Sequence, residues 1–327
     1  MRIPVDRIIE EIRKKKAKRV LIQVPEGLKM SLSKIYPIIV RKTGSDVIIH
    51  GETCFGPCDL ALGDLNKLGC DLLIHLAHTP IKKPGKRVVF IDVFDDVPMS
   101  KSLLEKIIKV CKGKKVGLAA SIQYLQLLKY VKKIFTEKKI DVRLGNPKNK
   151  YFSKGQISGC DVSSVKDIEK EVDLFIVIGG GLFHGLGVSL KTHKRTFLAD
   201  PYKGDLIDLD SITRRKLALI ADRIEKARNC RKFGVIIGLK EGQTSMKLVD
   251  YVRSRLKGDV LILAMSDLKP EKLAYYPWID AFIQTLCPRI SVDDLESYER
   301  PVLSVEQFEV MIGERRFEDV YPSVRRL

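Results

Sequence analysis

No stretch of this 327-residue chain is apolar for long enough to cross a bilayer; the longest apolar runs, such as "RVVFIDVF" from Arg87, are strand-sized. The amino terminus lacks the uninterrupted apolar segment of a secretion signal. It places Ile8, Ile9 and Ile12 on one face of an amphipathic helix and ends in the basic run "RKKKAKR". A cytoplasmic protein is expected. No CxxC pair occurs, and the seven cysteines (54, 58, 70, 111, 160, 230 and 287) are odd in number, which argues against a disulfide scaffold. Aromatic residues are scarce at 7% and show no RNP-like clustering, so specific single-strand nucleic-acid recognition has little support. Acidic residues are outnumbered, 41 against 59 basic, leaving a net charge of +18. Such a field favours an acidic macromolecular partner, although a lysine-rich solvated surface produces the same balance.

What is present is a repeat. Three segments open with a short apolar strand: "RVLIQVPEGL" from Arg19, "KVGLAASIQYL" from Lys115 and "KFGVIIGLKEGQ" from Lys232. Each leads into an amphipathic helix. Tyr124, Leu128, Val131 and Phe135 share a face in the second; Leu248, Val249, Val252 and Leu256 do so in the third. Further strands follow in the same order: "DVIIHGE", "IDVRLG" and "GDVLILAM", then "CDLLIHLAH", "VDLFIVIGG" and "IDAFIQTLC", then "RVVFIDVF", "RTFLADPY" and "RPVLSVE". Asp71, Asp173 and Asp280 stand at equivalent points, 102 and 107 residues apart. Alternation of strands and helices implies parallel sheets with right-handed crossovers. The expected fold is therefore α/β. It has three similar domains, each a small parallel sheet of about four strands flanked by helices, set with pseudo-threefold symmetry about a shared centre. Their expected spans are 1–113, 114–211 and 212–327. A helix from Asp210, its N-cap, bridges the second and third units. Cys70, Cys111 and Cys230 lie in or beside helical patterns and are expected to pack in cores.

In open parallel sheets, chemistry gathers at the carboxyl ends of strands. Those positions hold Glu26, the turn "CFGPC" from Cys54 to Cys58, His75, His78, Gln123, Gln156, Cys160, His184, Lys240, Gln243, Cys287 and Arg289. Each unit thus supplies one thiol: Cys58, Cys160 and Cys287. If the units face one another, three thiolates meet at one point. Three thiolates without a fourth ligand suit an iron–sulfur cluster with one open iron. Three cysteines with His75, His78 or His184 suit zinc. Three unrelated buried thiols are the plain alternative. The run "GGGLFHG" fails the dinucleotide fingerprint, because His184 stands where the third glycine is required.

The motifs "QVPEGL" (Gln23 to Leu28), "GETCFGPCDLA" (Gly51 to Ala61), "GQISGCD" (Gly155 to Asp161), "GGGLFHGLG" (Gly179 to Gly187), "ADPY" (Ala199 to Tyr202), "KEGQ" (Lys240 to Gln243) and "CPRIS" (Cys287 to Ser291), in this order, resemble the archaeal 2-(3-amino-3-carboxypropyl)histidine synthases of diphthamide biosynthesis over essentially the whole chain. The resemblance implies a noncanonical radical S-adenosylmethionine enzyme, homodimeric, with a 4Fe–4S cluster on Cys58, Cys160 and Cys287. It implies transfer of the 3-amino-3-carboxypropyl group of S-adenosylmethionine to imidazole C2 of a histidine in translation elongation factor 2, with electrons from a separate donor and no membrane. Cys54 has no ligand counterpart in that pattern. Arg289 is the candidate for the substrate carboxylate, with Gln243, Lys240 and Gln156 as further polar candidates and Glu26 and His184 for positioning. Lys240 and Arg289 are equally suited to ion pairs between units. A quinolinate-synthase-like cluster enzyme and a noncatalytic basic RNA- or ribosome-binding scaffold are the rival readings.

Overall fold

A computed structural model describes residues 2–327. The first sheet contains β1 (Arg19–Gln23), β2 (Asp46–Ile49), β3 (Leu72–Leu76) and β4 (Val88–Ile91), in spatial order β2-β1-β3-β4. The second contains β5 (Val116–Ala120), β6 (Val142–Arg143), β7 (Leu174–Ile178), β8 (Arg195–Asp200) and β9 (Asp205–Asp208), in order β6-β5-β7-β8-β9. The third contains β10 (Lys232–Gly238), β11 (Asp259–Met265), β12 (Ala281–Gln284) and β13 (Val302–Ser304), in order β11-β10-β12-β13. The same order recurs three times, and every pairing is parallel except β8 with β9. That hairpin departs from the expectation of four parallel strands per sheet. Four residues separate β8 from β9, too few for a crossover, so the chain can only turn back.

Strands β3, β5 and β7 are buried along their whole length, as sheets covered by helices on both faces require. The helices present one apolar face each. Val5–Lys15 buries Ile8, Ile9 and Ile12. Lys101–Cys111 buries Leu103, Ile107 and Cys111, and is capped by Ser100, whose Oγ accepts the Leu103 N–H at 3.2 Å. The second repeat helix begins at Leu125, so Tyr124 sits in the 3₁₀ turn before it while Leu128, Val131 and Phe135 fill the core. The third repeat helix spans Met246–Arg253 and buries Val249 and Val252; Leu248 is exposed and Leu256 lies beyond its end. Asp210 is the first residue of the helix Asp210–Arg228 rather than its cap, a position Leu209 holds. Its carboxylate pairs with Arg326 instead, and its own N–H is taken by Asp208 Oδ1 at 3.1 Å. Cys70 and Cys111 are buried, and Cys230 packs at the edge of the third core.

The repeated aspartates have a common task. Asp71 Oδ2 accepts the N–H groups of Lys18 and Arg19 at 2.8 and 2.9 Å. Asp173 Oδ2 accepts that of Lys115 at 2.8 Å, and Asp280 Oδ2 those of Arg231 and Lys232 at 3.1 and 2.9 Å. Each carboxylate thereby fixes the start of its sheet's first strand against the start of the third, where edge N–H groups would otherwise lack partners. Among the described residues, no helix is long and apolar enough to cross a membrane.

Candidate active site

Cys58 lies on the loop between β2 and the helix Leu62–Lys67. Gly56 and Pro57 make its turn, which the Asp59 N–H closes onto Gly56 O at 3.0 Å. The loop is held from the third sheet's side. Gly242 N–H donates to Cys58 O at 2.9 Å, and a Cβ at Gly242 would lie 2.7 Å from Cys58 Cα and O, so only glycine allows this approach. Lys240 forms an ion pair with Asp59, both side chains being largely buried, and its ammonium lies 4.4 Å from the Phe55 ring centre. Gln243 Nε2 lies 3.6 Å from Cys58 Sγ, in donor position. The motif "KEGQ" is thus a clamp on the Cys58 loop, and Lys240 takes the ion-pair role.

Of the three thiols named from the sequence, Cys58 and Cys160 lie near enough to act on Cys287. Burial pushes the Cys287 thiol up to about 11, with the neighbouring Cys160 and Cys58 adding to the rise. Burial also raises Cys58, opposed by the Gln243 hydrogen bond and reinforced by Cys160 and Asp59. Cys160 itself is exposed at the end of "GQISGC", with Ser158 Oγ at 3.6 Å. Beside Cys160 opens a cavity of about 600 Å³, lined also by Gly187, Gln243, Gln284, Pro288 and Arg289. Its size suits a metabolite-scale ligand.

Arg289 is buried, and its fork is engaged: Nε and Nη2 donate to the two Asp293 oxygens at 2.8 and 2.7 Å, and Nη2 also to Phe183 O at 2.8 Å. The guanidinium stacks on the Phe183 ring at 4.4 Å. Nη1 has no hydrogen-bond partner among the described residues and lies beside Gly187. It is the nitrogen left to meet a carboxylate in the cavity. Gln156 lies apart from the cavity lining: buried, it donates to Thr79 Oγ1 at 2.7 Å and accepts from Ser153 N at 2.9 Å, tying the first and second sheets together. Glu26 Oε1 accepts the Cys54 N–H at 3.0 Å and pairs with Lys29 at 3.3 Å.

None of the sequence-named histidines is among the residues that line this cavity. His184 is held neutral, its pKa lowered to about 4 by burial first and then by Arg289 and His78. Burial lowers His75 to about 3 and His78 to about 4. His75 and His78 are hydrogen-bonded ring to ring, Nε2 to Nδ1, at 2.8 Å. Asp59 and Asp293 were not among the sequence candidates. Asp59 directly follows Cys58, and Asp293 stands four residues after Arg289 on a helical turn, a spacing that favours the pair.

Comparison with known proteins agrees with this geometry. Residues 24–322 match the family model described as "Putative diphthamide synthesis protein". The chain is 32% identical over 320 residues to a 2-(3-amino-3-carboxypropyl)histidine synthase of Pyrococcus horikoshii, covering 96% of this chain and 91% of that protein. It is 29% identical to subunit 1 of the synthase of Caenorhabditis elegans, covering 91% and 77%. The crystal structure of Dph2 from Pyrococcus horikoshii superposes with a TM-score of 0.87 at 30% identity, covering 97% of this chain and 92% of that one. The crystal structure of that protein with a 4Fe-4S cluster superposes with a TM-score of 0.86 at 29% identity, covering 98% and 94%. With three sheets of the same order and these similarities along nearly its full length, the chain belongs to the diphthamide synthesis family.

Proposed function

We propose that this protein is a 2-(3-amino-3-carboxypropyl)histidine synthase. It moves the 3-amino-3-carboxypropyl group of S-adenosylmethionine onto imidazole C2 of a histidine in elongation factor 2, releasing methylthioadenosine. The observation that carries this reading is the proximity of Cys58 and Cys160 to Cys287, one thiol from each sheet's loops, with Cys160 lining a metabolite-sized cavity. Soft thiolates in this number fit a 4Fe–4S cluster with one iron left free of protein ligands. We assign those cysteines as its ligands, and the spans 1–113, 114–211 and 212–327 as the three domains that deliver them. When bound, the cluster supplies the electron that breaks the sulfonium bond to the methionine Cγ.

The rest of the task belongs to the chain's own side chains. Arg289 Nη1, anchored through Asp293, offers a directed positive charge to the aminocarboxypropyl carboxylate. Gln243 donates toward Cys58 Sγ and tunes that ligand. The Lys240–Asp59 pair and the Gly242 contact hold the Cys58 loop rigid, so the reacting bond can be oriented and water excluded. His184, kept neutral by burial, presents an uncharged imidazole rather than a competing cation. The net charge of +18 suits an acidic protein substrate. The outer edge of β11, which pairs with no strand among the described residues, suits pairing with a second copy into the homodimer. We place the enzyme in the cytoplasm, reduced by a separate electron donor.

The test is anaerobic incubation of reduced protein with S-adenosylmethionine and elongation factor 2. The expected products are methylthioadenosine and an elongation factor heavier by one aminocarboxypropyl group at a single histidine. Formation of quinolinate from iminoaspartate, with the elongation factor unmodified, would overturn the reading.

A further inference from the structure

We propose that Cys54, His75 and His78 form a second metal site, separate from the three-thiol centre, that takes a borderline-soft divalent cation of the Zn²⁺ class. One ligand atom from each of the three residues lies within 4.8 Å of the others. Tetrahedral zinc bonds of about 2.05 Å to nitrogen and 2.3 Å to sulfur set ligand separations of roughly 3.3 Å between nitrogens and 3.6 Å from nitrogen to sulfur. Side-chain shifts of about an ångström therefore close the site. One thiolate and two imidazoles suit zinc better than magnesium or calcium, which take oxygen.

The surrounding hydrogen bonds determine which His75 nitrogen faces the site. Gln23 Nε2 donates to Asp59 O at 2.6 Å, and its Oε1 accepts the Ala61 N–H at 3.2 Å, which fixes the amide's orientation. Oε1 also meets His75 Nδ1 at 2.9 Å. An amide oxygen only accepts, so Nδ1 carries the proton and Nε2 carries a lone pair. That is the outer-sphere arrangement by which proteins orient metal-binding histidines. In the metal-free chain the His75 lone pair is taken by His78 Nδ1–H at 2.8 Å. A cation takes the place of that proton when His78 changes tautomer, its proton leaving Nδ1 for solvent and Nε2 taking one up.

Backbone strain brings His78 back onto His75. Ala77 between them is in the left-handed region, with φ of 66°. A non-glycine residue there costs on the order of 1 kcal/mol and persists only where its surroundings enforce it. The Ala77 carbonyl is held by Gln123 Nε2 at 2.7 Å and its N–H by Ile91 O at 2.9 Å. On the other side, Glu26 takes the Cys54 N–H at 3.0 Å and acts electrostatically on His78, which is partly exposed. The Cys54 thiol loses its proton to the solvent as the cation enters. Because Cys54 and Cys58 share one loop, a cation here would also tie that loop to the end of β3.

The experiment uses the 327-residue chain carrying Cys58→Ala, Cys160→Ala and Cys287→Ala, so that among the described residues only the proposed site retains grouped thiol and imidazole ligands. Zn²⁺ is titrated against a chromophoric chelator, and Co²⁺ is titrated by absorbance. The expected result is one tightly bound Zn²⁺ per chain and a thiolate-to-cobalt charge-transfer band. Adding Cys54→Ala, or independently His78→Ala, should weaken binding by roughly 100-fold. Circular dichroism confirms that each variant is folded, and the partly exposed His78 keeps the test available should Cys54→Ala misfold. Absence of a tight equivalent, a cobalt spectrum without the thiolate band, or unchanged binding in the folded variants would each overturn the proposal.

Discussion

Gln243 Nε2 points at Cys58 Sγ across 3.6 Å, joining residues 185 positions apart. An N–H directed at a ligating sulfur stabilises the more negative, reduced state of the group that sulfur binds. Gln243→Leu keeps the bulk and removes the donor. The expected outcome is a cluster that still assembles, a lower midpoint potential in an EPR-monitored redox titration, and turnover reduced roughly 10- to 100-fold. An unchanged potential would show that the contact is packing alone.

The ligand assignment makes a sharper prediction, because Cys54 and Cys58 are near neighbours on one loop. Cys58→Ala, Cys160→Ala and Cys287→Ala should each abolish the cluster's absorbance and iron content after reconstitution, while Cys54→Ala should retain both. Exchange of the Cys54 and Cys58 results would reassign the ligand.

Much of this was legible in the chain. The three sheets could be read because strand, helix and strand recur in one order, and the equivalent Asp71, Asp173 and Asp280 mark its phase. The β8–β9 hairpin was not legible, because "GDLIDLD" after "ADPY" carries the same apolar alternation as a parallel strand. Arg289 could be singled out at a strand end, but its bond to Asp293 could not, since the turn that creates it is only four residues long. Lys240 and Asp59 lie 181 positions apart, and local pattern carries no information at that range. The same holds for the ring-to-ring bond of His75 and His78: their spacing places both near one strand end, but only the left-handed turn at Ala77 makes them meet.

The Lys240–Asp59 pair should behave as a structural tie. Lys240→Met leaves a largely buried carboxylate without its cation, which costs about 3–5 kcal/mol in fully buried cases and roughly 2–3 kcal/mol with the residual exposure here. Adding Asp59→Leu should return part of that stability. A lone Lys240→Met variant with an unchanged unfolding midpoint, but a raised KM for S-adenosylmethionine, would move Lys240 from the loop clamp into substrate binding.

His75, buried, and His78 and His184, mostly enclosed, predict an acid-sensitive fold in chelator-treated protein. His75, His78 and His184 titrate at about 3, 4 and 4 when folded, all lowered by burial, against an ordinary value of 6.5. Below the unfolded value, the unfolded chain takes up protons that the folded chain refuses, so stability falls as pH drops from about 6.5 towards about 4, and is complete only above that window. Each unit of displacement is worth about 1.4 kcal/mol, so the loss amounts to several kcal/mol. Thermal unfolding across this range should show a steep decline, and His184→Gln should flatten part of it. A melting temperature independent of pH between these limits would contradict the burial assigned to these rings.

The assembly prediction follows from unequal sheet edges. All three sheets end in the second strand of their repeat, but β2 has four residues and β6 two, whereas β11 has seven. Its outer side has no strand partner among the described residues, and Leu261 and Ile262 are both more than a third exposed, on opposite faces. A long apolar edge is a template for strand addition, and proteins that do not use one blunt it with charge or proline. Here the only charge is Asp259 at its start, and proline is absent from the strand. Pairing of two β11 strands across a twofold axis would cover both edges at once, as a self-complementary interface requires. Ile262→Lys should therefore shift the protein from dimer to monomer in light scattering at micromolar concentration while leaving the cluster cysteines and their sheet-end loops intact. A dimer that survives this substitution, or a wild-type chain that is monomeric under the same conditions, would remove β11 as the interface.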